Sequence, residues 1–156
     1  MISNDVKCKG DIKLIIEEND QTKIIEFNNA VLSVGTSALA SSLANKFGGY
    51  YDYYINKIVV GDGGSVGGVP KVVTSERNGL FGVTRALKPV VATIDPKLSS
   101  RVIFTSVLGP EDANGYLLNE FGLQMNNGNI YSMATTSGFN KTSQMRVTIV
   151  WSLTFL

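Results

Sequence analysis

Few residues in this chain could carry chemistry: a handful of acids, a glycine-rich loop and a run of tyrosines. The 156 residues contain no histidine and one cysteine, Cys8. That removes a histidine general base, the Ser-His-Asp and Cys-His arrangements, nearly every zinc site, a disulfide framework and a thiolate metal cluster. Among the acids, Glu111-Asp112 falls in a polar Pro-Glu-Asp-Ala-Asn-Gly turn and reads as solvated. No two carboxylates show a spacing that argues for a glycosidase pair. Glu120 stands apart, because it interrupts the otherwise apolar segment Tyr116–Leu123. A lone carboxylate buried there is costly unless partnered. Its expected role is a structural buried acid, bonded to backbone amides or paired with Arg77, Arg85 or Lys141. A catalytic acid and a subunit contact are the alternatives.

Residues 61–68 read Gly-Asp-Gly-Gly-Ser-Val-Gly-Gly after a strand, which invites a phosphate-loop reading. Val69-Pro70 follow where a P-loop needs Gly-Lys-Ser/Thr opening a helix. Gly61 and Gly63 fit the first two positions of a dinucleotide fingerprint, but Val66 takes the third. Asp62 alone is a poor calcium cage. The loop is therefore expected to be flexible or tightly turned, on the surface, with Gly61, Asp62, Gly63 and Gly64 at a subunit or partner contact. Tyr50, Tyr51, Tyr53 and Tyr54 form an aromatic cluster broken by Asp52. Covering the helix end and pairing across strands is the plain expectation for these rings. A contact surface using Tyr50, Tyr53 and Tyr54, for protein or for sugar, is the sharper one. No catalytic residue, cofactor or metal is expected.

The elements that must position these residues are mostly strands. Two β-branched runs, 12–18 and 22–27, flank Asn19-Asp20-Gln21 and predict an N-terminal hairpin. Thr36 and Ser37 can cap a helix over about residues 36–47, with Leu39, Leu43 and Phe47 as its apolar stripe and Gly48-Gly49 as its stop. Strands are expected at 55–60, at 83–92 around Pro89, and at 101–108. Two more, at 116–125 and 130–135, are joined by Asn126-Asn127-Gly128-Asn129. The last is the clearest: Met145, Val147, Ile149, Trp151, Leu153 and Phe155 alternate with Arg146, Thr148, Val150, Ser152 and Thr154. The expected fold class is mainly β, an antiparallel β-sandwich-like module with one packed α-helix. One domain over 1–156 is expected, with 1–28 a β-hairpin and 29–156 the helix and sandwich body.

The order of the pieces resembles small virion structural modules of tailed bacteriophages, closest to the tail-collar fibre N-terminal module. The resemblance covers roughly 28–156 and is carried by Gly35 with its Leu39/Leu43 helix, Ile58–Gly63, Thr74-Ser75-Glu76-Arg77, Asn114–Leu123, the Gly128 turn, Lys141 and Val147–Trp151. It departs from the module's pattern at Gly79 and Leu80. It implies an assembly role in tail, collar or baseplate, in the virion, after synthesis in the host bacterial cytoplasm. Capsid decoration on the head is the alternative within that class, and a carbohydrate-binding module using Tyr50–Tyr54 is the alternative outside it. The expected partners are further copies of the chain, as trimer or hexamer, and other virion proteins, with a glycan as runner-up. A formal charge of +1 does not mark a nucleic-acid binder, and no apolar run reaches a membrane-spanning length.

Overall fold

The computed structural model of the chain describes residues 7–44 and 53–156. Its strands form two five-stranded antiparallel sheets and one small hairpin. The first sheet contains β1 (Cys8–Glu18), β2 (Gln21–Asn28), β8 (Val91–Ile94), β9 (Arg101–Leu108) and β12 (Met145–Phe155), in the order β2-β1-β12-β9-β8. The second contains β3 (Ala30–Val31), β4 (Ile55–Gly61), β7 (Thr84–Pro89), β10 (Leu117–Met125) and β11 (Ile130–Asn140), in the order β3-β11-β10-β4-β7. The hairpin pairs β5 (Ser65–Val66) with β6 (Val69–Pro70), and one helix, α1 (Ser33–Ala44), follows β3.

Alternation in β12 decides the core. Val147, Ile149, Trp151 and Leu153 are buried beside Ile12, Leu14 and Ile16 of β1, and they meet Ile58, Val60, Phe121 and Leu123 of the second sheet. Each such side chain contributes roughly 1.5–3 kcal/mol on leaving water. The N-terminal hairpin belongs to this body, since β1 pairs with β12 over its whole length from Cys8–Phe155 to Glu18–Met145. Its turn is Asn19-Asp20, both at positive φ (48° and 61°), as a two-residue hairpin turn requires.

The strand expected over 83–92 divides at Pro89. There the chain leaves the second sheet, Val90 donates to the Asn56 carbonyl at 3.1 Å, and β8 begins in the first sheet. Strand β11 runs past Thr135 to Asn140 by absorbing a bulge. Between the Leu118–Phe139 and Glu120–Thr135 pairs, β10 supplies only Asn119 while β11 supplies Thr136 to Gly138. Gly138 makes this possible at φ 98°.

The helix differs most from expectation. It begins at Ser33, not Thr36, because the Thr36 amide and hydroxyl both point back to the Leu32 carbonyl (3.1 and 3.4 Å). Its described part ends at Ala44, so Phe47 and the Gly48-Gly49 stop lie outside the described residues. Its buried residues are Gly35 and Ala38, whereas Leu43 is 82% exposed. A Cβ on Gly35 would come within 2.9 Å of the Tyr131 ring. The helix therefore docks by its small face, too close to the sheet for a leucine stripe to fit between.

Candidate functional site

Glu120 organises the site. It projects from the outer face of β10 and lies directly opposite Gly61 of β4. It is fully buried, and its carboxylate accepts from three backbone amides: Gly63 (2.9 Å) and Gly82 (2.8 Å) on Oε1, and Phe81 (2.6 Å) on Oε2. Gly61 leaves room for this, since a Cβ there would stand 2.6 Å from Oε1. Neighbouring Asn119, aimed by the β11 bulge, accepts from the Gly64 amide (2.7 Å) and donates to Ser65 Oγ (2.8 Å). Ser65 Oγ donates onward to the Ser137 carbonyl within the bulge (3.2 Å).

Two chain segments, 61–65 and 79–83, are thus clamped together. Asp62 closes the clamp from outside by accepting from Arg85 Nε (2.7 Å) and the Val83 amide (3.2 Å). Arg77 lies over the Phe81 ring (3.6 Å) and donates to the Gly79 and Leu80 carbonyls, while Arg85 lies over Tyr116 (3.9 Å). Under this lid Leu32, Val59, Ile130 and Met133 form a second apolar cluster with Val73, Leu80 and Phe81. The lid explains why β10 is buried on both faces.

Of the two expectations for Gly61–Gly68, flexible or tightly turned, the geometry gives the tight turn, and it places the first part of the loop partly under cover. Gly61 and Gly64 are buried, and Gly63 packs against the Gly82 backbone. What the clamp leaves outside is the β5–β6 hairpin. Gly67 and Gly68 make its turn at φ 57° and 79° with open space around them. Thr135 Oγ1 anchors the far strand through the Lys71 carbonyl (2.6 Å). Val66 and Val69 at the tip and the neighbouring Val72 all stay largely exposed, Val72 at 83%. Sequence reasoning missed this hairpin, although Gly-Gly between two valines was a signal for it.

Of the tyrosines, Tyr50 and Tyr51 lie outside the described residues. Tyr53 packs against the main core and Tyr54 is half exposed. Glu120 does not pair with any of the three cations considered for it. Arg85 is held by Asp62, Arg77 by Phe81, and Lys141 sits in a cage of its own. That lysine is 1% exposed and donates to the Gly109 and Thr142 carbonyls (2.9 and 2.8 Å) and to Asn114 Oδ1 (2.9 Å). Burial lowers its pKa against the opposing charges of Asp112 and Glu111. Asp112 is itself opposed by burial, but the Lys88 ion pair (2.9 Å), the Gly109 amide and the Lys141 charge hold it below the usual carboxylate range.

The arrangement fits support better than proton transfer. A carboxylate that already accepts three amides has little capacity left for a substrate. Among the described residues no three His, Cys, Asp or Glu side chains gather as a metal ligand set, and no helix is long and apolar enough to cross a membrane. No family model, no curated protein and no solved structure matches the chain.

Proposed function

We propose that the protein is a non-enzymatic virion structural protein of a tailed bacteriophage, acting by protein–protein assembly in the tail, collar or baseplate. The observation that carries the assembly part is the use made of Glu120 and Asn119. The buried acid and amide are taken up at the base of an exposed valine-tipped hairpin: Glu120 holds Gly63, Phe81 and Gly82, and Asn119 holds Gly64 and Ser65. An apolar projection hydrogen-bonded at its base suits association, because ordering at the base limits the entropy lost when it is covered. The virion attribution comes from the order of the motifs described above, and a head decoration role is compatible with the same hairpin.

The test is a triple variant, Val66→Ser with Val69→Ser and Val72→Ser, compared with the wild type by size-exclusion chromatography and thermal melting. Assembly through the hairpin predicts later elution of the variant at an unchanged melting temperature. Identical elution of the two proteins would contradict it.

A further inference from the structure

We infer that β8 is a self-association edge, pairing antiparallel with β8 of a second copy of this chain about a two-fold axis at Thr93. Among the described residues the two large sheets have four edges, β2 and β8 in one and β3 and β7 in the other. Exposed edges are normally blunted by charge, by proline or by shortness. Strand β2 carries Lys23 and Glu26, β7 carries Arg85, Lys88 and Pro89, and β3 is two residues long and runs into the helix. Strand β8 is Val-Ala-Thr-Ile, with no charge and no proline, and all four residues are exposed. Val91 is 70% and Ile94 59% exposed, with Leu87 and Leu98 exposed close by in sequence. This is the composition of a strand kept for pairing.

The backbone phase fixes which groups are open. Asp95 N–H donates to the Arg101 carbonyl at 2.9 Å, so residues of that parity, Val91 and Thr93, bond inward to Thr105 and Ile103. Ala92 and Ile94 point their N–H and C=O groups away from β9. Val90, of the same parity, confirms the phase by turning its N–H to Asn56 of β4. In a two-fold pairing centred on Thr93, Ala92 of one copy lies opposite Ile94 of the other. Each such pair exchanges two hydrogen bonds, four in all. The two Thr93 residues then form a non-hydrogen-bonded pair with Cα atoms about 4.5 Å apart. A second copy is favoured over a charged partner because the strand offers only neutral groups, which its own sequence complements.

The inference rests on the assembly reading for its purpose but uses a surface separate from the hairpin. The test introduces Thr93→Cys in a Cys8→Ser background, since a non-hydrogen-bonded pair at that separation is within disulfide reach. Air oxidation should give a covalent dimer on a non-reducing gel. Ala92→Pro removes an outward N–H without touching the β8–β9 ladder. Added to the Thr93→Cys chain, it should abolish the dimer and leave the melting temperature within a few degrees. No disulfide dimer, or a dimer unaffected by Ala92→Pro, overturns β8 pairing. Light scattering of the unmodified protein separates the two ideas: a multimer with no Thr93 disulfide refutes this edge while leaving assembly intact.

Discussion

Glu120 and Lys141 are buried ions handled in opposite ways, one by backbone donors and one by acceptors, and each holds a loop to the sheet. Replacing Glu120 with alanine orphans the amides of Gly63, Phe81 and Gly82, at a cost of about 3 kcal/mol. At roughly 2–4 °C per kcal/mol for a chain of this size, the melting temperature should fall by about 6–12 °C. Calorimetry of Glu120→Ala checks this, and an unchanged melting temperature would refute the clamp. Lys141→Met should cost about 2–4 kcal/mol, since it leaves the Gly109 and Thr142 carbonyls and Asn114 Oδ1 without their donor. Urea titration reads that loss. Burial, aided by its contact with Cys8, pushes the Tyr131 phenol up to about 12. The folded state thus favours the protonated phenol, a preference fully expressed below the ordinary tyrosine pKa of about 10. It is lost as pH rises from there through about 12. Unfolding free energy should decline over that window, and Tyr131→Phe should flatten the decline; equal slopes in the two proteins would contradict it.

At the scale of elements, what the sequence made legible follows period and turn chemistry. The β12 alternation, the Asn19-Asp20 and Gly128 turns and the Arg101–Leu108 strand are all present. Period-two burial is enforced by a core on one face, so it survives into the sequence. The one packed helix is present, but its buried face is not the leucine stripe, for a reason of context: Leu39 and Leu43 have ideal spacing, whereas Gly35 and Ala38 are the residues it buries, with Gly35 directly against Tyr131. The glycine loop was legible as a turn and not as a clamp, because nothing local in the sequence tells that Gly61 will face Glu120 across two strands. The contrast between glycines is testable. In Gly64→Ala the new Cβ would press on the Asn119 backbone and Glu120 Cβ, whereas Gly79 has open space. Gly64→Ala should destabilise by more than about 2 kcal/mol and Gly79→Ala by less than about 0.5 kcal/mol. Parallel urea melts decide this, and similar midpoints would contradict the clamp geometry.

For the whole molecule, few charges and open apolar features point the same way. A formal charge of +1 gives little mutual repulsion between copies. The valine tip and β8 lie on different parts of the chain, so the two proposed contacts would be separate surfaces of one molecule. A two-fold pairing alone closes at a dimer, whereas a second contact lets dimers build into a larger symmetric body. The measurement that bears most directly on assembly is the solution mass by light scattering across a concentration series. The expected result is a defined multiple of the 16.8 kDa chain that persists on dilution and shrinks in the valine-tip variant. A 16.8 kDa species at every concentration, which also fails to sediment with phage particles, would contradict it.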